Sequence, residues 1–484
     1  MTGLFRPPAE FAPPEKSYRL LPLRFERLDE KRVVLTNLVG EFLVMDRAAL
    51  SAFVDRQLPR DSEQYLALKG RHFLTDEASN VALDLLALKA RTRAEPVAQF
   101  TGLHMFVVSL RCDHSCGYCQ VSRQTADKTA FDMSEAHAEK ALEFVFQSPS
   151  PSLKIEFQGG EPLLNFSLIR HVVLAAEERN RSERRNLQFV IASNLSPLTD
   201  EILQFAGEHD IYFSTSLDGP ADLHNKNRPR PGRNSHELAL AGIERVRRAI
   251  GFDRVSALMT TTPESLMRGR EIVDEYARQG FRSIFLRPIS PYGFAVKTRL
   301  VRGYSADDWL RFYKDTLEYI LELNRSGLDF REDFAGIVLR KMLTPYGTGY
   351  VDLQSPAGLG ISAVVYNYDG AIYASDEARM LAEMGETRFK LGHLDLDSYE
   401  QVFTSDALLE PLAESVLESA PMCSDCAFLP YCGSDPVYHW AMQRDLVGHK
   451  ARSAFCHRNM GTFKHLIGLL EDDAGASAIL RRWV

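Results

Sequence analysis

From Leu103 to Ile289 the sequence alternates short apolar runs with amphipathic stretches, and this alternation constrains the fold more than any other feature. Strand-like runs fall at 103–110, 153–158, 187–193, 211–217, 254–261 and 283–289, with helical patterns at 133–148, 163–181, 198–208, 236–250 and 264–279. Crossovers between parallel strands are right-handed, so this order predicts an α/β fold, a partial (β/α)6 TIM-like barrel. Chemistry in such barrels gathers at the C-terminal ends of the strands. Those ends carry a cysteine triad (Cys112, Cys116, Cys119), Gly159-Gly160-Glu161-Pro162, Ser193-Asn194, Ser216-Leu217-Asp218-Gly219 and Arg287-Pro288-Ile289.

The flanking segments read differently. Residues 1–95 form a small α+β module, with extended segments between 18 and 46 and helical patterns after them; Pro96 marks the junction with the barrel, 100–300. Two amphipathic helices in 301–349 bridge to a region, 350–470, whose Asp369-Gly370 pair predicts a hairpin turn. Residues 471–484 read as a polar tail.

The chain has 484 residues and a formal net charge of -8, which argues against broad nucleic-acid binding because phosphate neutralisation calls for a basic surplus. No run of about 20 apolar residues and no export-type leader is present, so a cytoplasmic protein without membrane attachment is expected. The seven cysteines fall in two tight groups, a metal-like rather than disulfide-like distribution.

In the first group the CxxxCxxC spacing offers three thiolates, one short of the four attachments of a four-iron cluster. One iron is then open to a small molecule, and Tyr118 fits a wall beside it. Read alone, the three cysteines also suit part of a zinc site or buried thiols. The second group is Cys423-x2-Cys426-x5-Cys432-x23-Cys456, and four thiolates so spaced equally suit tetrahedral zinc.

The triad, its aromatic and the Gly-Gly-Glu-Pro together resemble the radical S-adenosylmethionine (radical SAM) superfamily. The resemblance implies a [4Fe-4S] cluster on Cys112, Cys116 and Cys119. Its open iron would bind S-adenosyl-L-methionine, whose reductive cleavage yields a 5′-deoxyadenosyl radical. Gly159 and Gly160 would let the backbone approach the methionine amino group, and Glu161 would orient as an acceptor, with Pro162 completing the motif. The segment SLDGPADLHNKNR resembles the fourth-strand motif of the peptide-modifying branch, which implies cofactor contacts from Ser216 and Arg228. Asp218 is read either as part of that contact or as a turn former beside Gly219. Ser193, Asn194 and Ile289 complete the implied cofactor-binding set.

The C-terminal cysteines are similar to the auxiliary-cluster extension of these enzymes, the SPASM domain, and match its outer-cluster ligands. Where the family carries inner-cluster cysteines this chain has Ser355, Ser375 and Pro436. The resemblance therefore implies one auxiliary [4Fe-4S] cluster, fully held by Cys423, Cys426, Cys432 and Cys456, with the vacated inner position becoming room for a peptide. Asp376, directly after Ser375, is either a general base, as in formylglycine-forming relatives, or a carboxylate leading a helix.

The opening YRLLPLRFERLDEKRVVLTNLVGEF and the stretch YNYDGAIYASDEARML narrow the resemblance to maturases of His-Xaa-Ser systems, the HxsB type. That implies a ribosomally synthesised precursor peptide as substrate, a second radical SAM protein and a small protein as partners, and a flavodoxin- or ferredoxin-type electron donor. The module 1–95 is then either a winged-helix-like element binding the precursor by strand addition or a packing cap. Two other readings stand beside this one: sulfatase-maturase-like oxidation of Cys or Ser to formylglycine, and a zinc-stapled, non-enzymatic scaffold.

Overall fold

The computed structural model describes residues 18–76, 81–300 and 303–484. Its centre is a nine-stranded sheet, six of whose strands are the parallel barrel strands. Leu103–Ser109, Ser152–Gly159, Asn186–Ala192, Tyr212–Ser216, Val255–Thr261 and Leu286–Pro288 lie side by side in chain order. Each pairs in parallel with the next, as Ile155 does with Phe189 and Met259 with Leu286. Helices Glu135–Gln147, Phe166–Glu183, Asp200–Glu208, Ser235–Ile250 and Gly269–Arg278 occupy the crossovers. Caps set their starts: Ser134 accepts from His137 N and Thr199 from Ile202 N. Buried Val107, Ile155, Phe157 and Ile191 meet the inner helix faces in one continuous core.

The hairpin is not a separate layer. Ala363–Tyr366 pairs in parallel with the first barrel strand, Val364 beside His104, and turns back at Asp369-Gly370 into Ala371–Tyr373 and then Lys390–His393. The sheet thus extends beyond the first barrel strand and carries the start of the cysteine-bearing region on the barrel rim.

At the N-terminus three strands, Leu23–Arg27, Arg32–Asn37 and Phe42–Asp46, form an antiparallel meander ahead of helices Arg47–Val54, Glu63–Gly70 and Val81–Ala94. The module packs on the C-terminal region. The Thr36 hydroxyl donates to Ala427 O at 2.6 Å, the Tyr431 hydroxyl to Gly40 O at 2.7 Å, and Arg32 pairs with Asp472 at 2.6 Å.

The polar tail expected at 471–484 is instead helical. Ala454–Asp472 runs into Ala474–Arg481, which buries Ala476, Ile479, Leu480 and, just beyond, Trp483 in the core built by Ala306–Arg325 and Asp333–Leu343. Four apolar side chains spaced along one face suffice to dock a helix whose other face is small and largely uncharged.

Candidate functional site

The barrel strands end in a cavity of about 1190 Å3 empty volume. Cys112, Cys116, Tyr118, Cys119, Gly159, Gly160, Ser193, Asn194, Ser216, Arg228 and Asp376 all line it. All seven cysteines are free, half-buried thiols. Burial raises the Cys112 thiol and pushes Cys116 up to about 12. The three sulfurs on one cavity wall, with no disulfide among them, fit a three-point cluster attachment.

The loop carrying the triad is clamped by the end of the second strand. Gly160 N–H donates to Ser109 O and Glu161 N–H to Arg111 O, both at 2.7 Å. At Gly159, φ +148°, a Cβ would lie 1.9 Å from Ser109 O, and at Gly160 one would lie 2.3 Å from Arg111 O. The glycines line the cavity as expected, but what they make room for inside the protein is the backbone that leads into Cys112.

Glu161 is fully buried and is not part of the cavity lining. It accepts from the Ser193 hydroxyl at 2.7 Å, Asn194 N at 2.8 Å and Leu163 N at 3.0 Å. Burial raises its carboxyl to about 7 against the pull of these donors. Glu161 therefore fixes the third strand end to the second, and Pro162 opens the short helix behind it. Asn194 in turn donates to Asp113 at 2.8 Å and meets the His114 ring at 3.0 Å, tying that strand end to the cysteine loop. Burial disfavours the Asp113 carboxylate, but hydrogen bonds from His114, Ser196 and Asn194 outweigh it and hold the group well below the usual range.

Asp218, with no exposed surface, accepts from the Tyr118 hydroxyl at 2.6 Å, Arg228 Nε at 3.0 Å and Thr260 N at 3.3 Å. It is thus more than a turn former, and it stands behind the cavity wall. Arg228 sits 5.2 Å above the Tyr118 ring, its charge already shared with a protein carboxylate. Ile289 is not on this cavity. It packs behind Tyr118 with Ala295, its N–H donates to Tyr304 Oη at 2.7 Å, and it lines a neighbouring cavity.

Asp376 opens the helix Asp376–Ala382, capped by Ser375, just after a strand that lies two places from the triad's own strand in the sheet, and it lines the cavity. Burial raises its carboxyl to about 6, against the nearby charge of Arg379, whose Nε lies 3.5 Å away. Oδ1 has no hydrogen-bond partner among the described residues. Arg287, from the last strand-end motif, lines the cavity as well, and so do Gln120, Glu156, Gln158, Thr260 and Met380, which no motif in the sequence singled out. Inward alternation marks Glu156 and Gln158, two apart on one strand, as the signal that was available.

The second cysteine group lies beneath the N-terminal module. Burial pushes Cys426 and Cys456 up to about 12 and raises Cys423 and Cys432. Asn459 donates to Cys432 Sγ at 3.5 Å. Like-charge coupling among the four places them in one another's neighbourhood, which suits a four-thiolate centre. Of the three positions expected to have lost cysteine, Ser355 bonds Glu418 at 2.8 Å, Ser375 caps its helix, and Pro436 begins Pro436–Gln443.

Residues 106–273 match the family model described as the Radical SAM superfamily. An uncharacterised protein of Methanothermobacter thermautotrophicus is 27% identical over 223 residues, 45% of this chain and 77% of that one. The radical SAM cyclopropyl synthase TigE of Paramaledivibacter caminithermalis is 22% identical over 208 residues, 40% of this chain and 41% of that one. Among solved structures, anSMEcpe with bound AdoMet superposes with a TM-score of 0.64 at 14% identity, covering 79% of this chain and all (100%) of the other. Streptococcus suis SuiB bound to the precursor peptide SuiA gives 0.52 at 15% identity, covering 90% and 98%. At these identities the structural matches speak for the fold. No described helix is long and apolar enough to cross a membrane.

Proposed function

We propose that this chain, a radical SAM enzyme through residues 106–273, modifies a ribosomally made precursor peptide, one of the His-Xaa-Ser type. The observation that carries the reading is the single cavity that gathers the cysteine triad with Tyr118, Ser193, Asn194, Ser216 and Arg228. Bound there, a [4Fe-4S] cluster and S-adenosylmethionine supply a 5′-deoxyadenosyl radical that abstracts hydrogen. The protein's own part is positional. Cys112, Cys116 and Cys119 hold the cluster, Tyr118 and Arg228 form the wall against which the cofactor rests, and Glu161 keeps two strand ends in register. Asp376 then takes the proton that leaves the substrate as it is oxidised. Cys423, Cys426, Cys432 and Cys456 hold one auxiliary cluster that relays an electron.

Peptide use is supported by the likeness to the radical SAM cyclopropyl synthase TigE and to SuiB bound to its precursor peptide SuiA. The N-terminal module supports it too. Its packing on the C-terminal region leaves Leu85 and Leu88 of Val81–Ala94 exposed side by side, an apolar face for the leader of the precursor. A second reading, oxidation of Cys or Ser to formylglycine, is favoured by Asp376 on the same cavity.

Anaerobic reconstitution tests the proposal. About eight irons per chain are expected from two cubanes, together with 5′-deoxyadenosine under reduction and a mass change in the precursor encoded beside the gene. Zinc in place of iron, or no 5′-deoxyadenosine with that precursor supplied, overturns it. Loss of two hydrogens from a serine with a new aldehyde identifies the second reading.

A further inference from the structure

Beside the cysteine cavity lies another, of about 740 Å3 empty volume, between the end of the last barrel strand and the C-terminal cysteine region. Arg287 lines both, and Asp376 and Glu377, neighbours in sequence, face one cavity each. Asp352, Glu377 and Asp435 converge on this second space. Burial, then the charge of Glu377, raises Asp352 to about 6; burial, then Asp352, raises Asp435 well above the usual range. The groups that serve them are Tyr350, Arg287 and Arg458 at Asp352, Tyr438 N at 2.8 Å and Lys450 at Asp435, and Arg287 at 3.9 Å from Glu377. Arg458 stands at the cavity wall above the Tyr438 ring. Three carboxylates can accept at about twelve positions, so most of their capacity is unmet.

Two further groups point inward without partners among the described residues. The Tyr292 hydroxyl (1% exposed residue) and Trp309 Nε1 (2%) are both buried, and both residues line the cavity. The Tyr292 hydroxyl is raised by burial and by Asp435, Glu377 and Asp352, which places it among the three carboxylates. A phenol oxygen there can accept from an N–H, and an indole N–H can donate to a carbonyl. The described groups compact enough to grip one metal ion are elsewhere, at Cys112-Asp113-His114 and His137-His393-Asp395, so the acids are spread for something larger than an ion.

We propose that this cavity is a specificity subsite for a protonated basic side chain of the substrate peptide, flanking the residue that reacts in the neighbouring cavity. The carboxylates and Tyr292 receive the cationic N–H groups, and Trp309 donates to a main-chain carbonyl of the same segment. The proposal rests on the peptide reading above, for it assigns the subsite to a peptide bound across both cavities.

Calorimetry on the reconstituted full chain tests it with N-acetyl-L-arginine amide against the neutral N-acetyl-L-norleucine amide. Losing one charged hydrogen bond is worth about tenfold, so the arginine amide should bind at least that much tighter. Glu377→Gln and, separately, Asp352→Asn should abolish the preference while leaving peptide-free 5′-deoxyadenosine formation unchanged. Equal affinities, no binding of either amide, or a preference that survives both variants overturns the subsite. An enzyme that modifies its precursor yet shows no preference sinks the subsite alone; arginine-amide selectivity in a protein that modifies no peptide upholds the basic-side-chain pocket and sinks the peptide reading.

Discussion

The Tyr118 hydroxyl donates to Asp218 Oδ2 at 2.6 Å, and the same oxygen accepts from Arg228 Nε at 3.0 Å. One buried carboxylate therefore positions two residues of the cavity wall, one from the cysteine loop and one from the fourth crossover. Removing it leaves a largely buried guanidinium, 14% exposed, without its carboxylate partner. Breaking such a pair costs about 3–5 kcal/mol. Asp218→Ala should lower the melting temperature and weaken S-adenosylmethionine binding by about tenfold or more, since both wall residues lose their anchor. A variant with the wild-type melting point and cofactor affinity would show that Asp218 positions neither.

Gly159→Ala tests the clamp under the triad. The added methyl would meet Ser109 O at 1.9 Å, backbone against side chain, at a φ of +148° that alanine rarely adopts. Neither the strand nor the loop can yield alone, because Gly160 and Glu161 are bonded to the same stretch. Overpacking of this kind costs about 1–3 kcal/mol, and the displaced partner is the segment leading to Cys112. Iron at the first cluster, read by the visible absorption of the reconstituted protein, should fall while the second cluster stays. Full iron loading would show the loop able to move aside.

The barrel was legible because its period is strong. Strand-like runs every 24–50 residues place every strand end on one rim, and motifs far apart in the chain, from Cys112 to Asp376, then line one cavity. Tertiary contacts were not legible. Nothing near Gly159 announces that Ser109 O occupies the space a side chain would need. Glu156 and Gln158 reach the cavity through strand direction alone, without a motif. The last helix was misread because Ile479, Leu480 and Trp483 are too few to outweigh its charged neighbours in composition, whereas burial counts only the face they share.

Asp376 gives a prediction in pH. A general base must be ionised, and its carboxyl is raised to about 6 chiefly by burial. The rate of the oxidising step should therefore rise about tenfold per pH unit below 6 and level off above it. Asp376→Asn should slow product formation by about a hundredfold or more and flatten that profile, yet still cleave the cofactor, since the triad is intact. A variant with the wild-type pH profile would assign the titration elsewhere.

The N-terminal module poses the question of whether it recognises or merely covers. Deleting it would not answer, because Thr36, Gly40 and Arg32 bind the C-terminal region and Val34 packs in its core, so the cut would expose what they cover. Point changes on its free face can. Leu85 and Leu88 are 39% and 57% exposed and lie one turn apart on Val81–Ala94, so a charge there disturbs no described packing. Leu85→Glu with Leu88→Glu should leave the folding stability within about 0.5 kcal/mol of wild type and cofactor cleavage intact. Fluorescence anisotropy with the labelled precursor should show its affinity reduced, each buried leucine being worth about 1.5–3 kcal/mol. If precursor affinity is unchanged, the helix face is a surface of the cap, and recognition lies with the cavities alone.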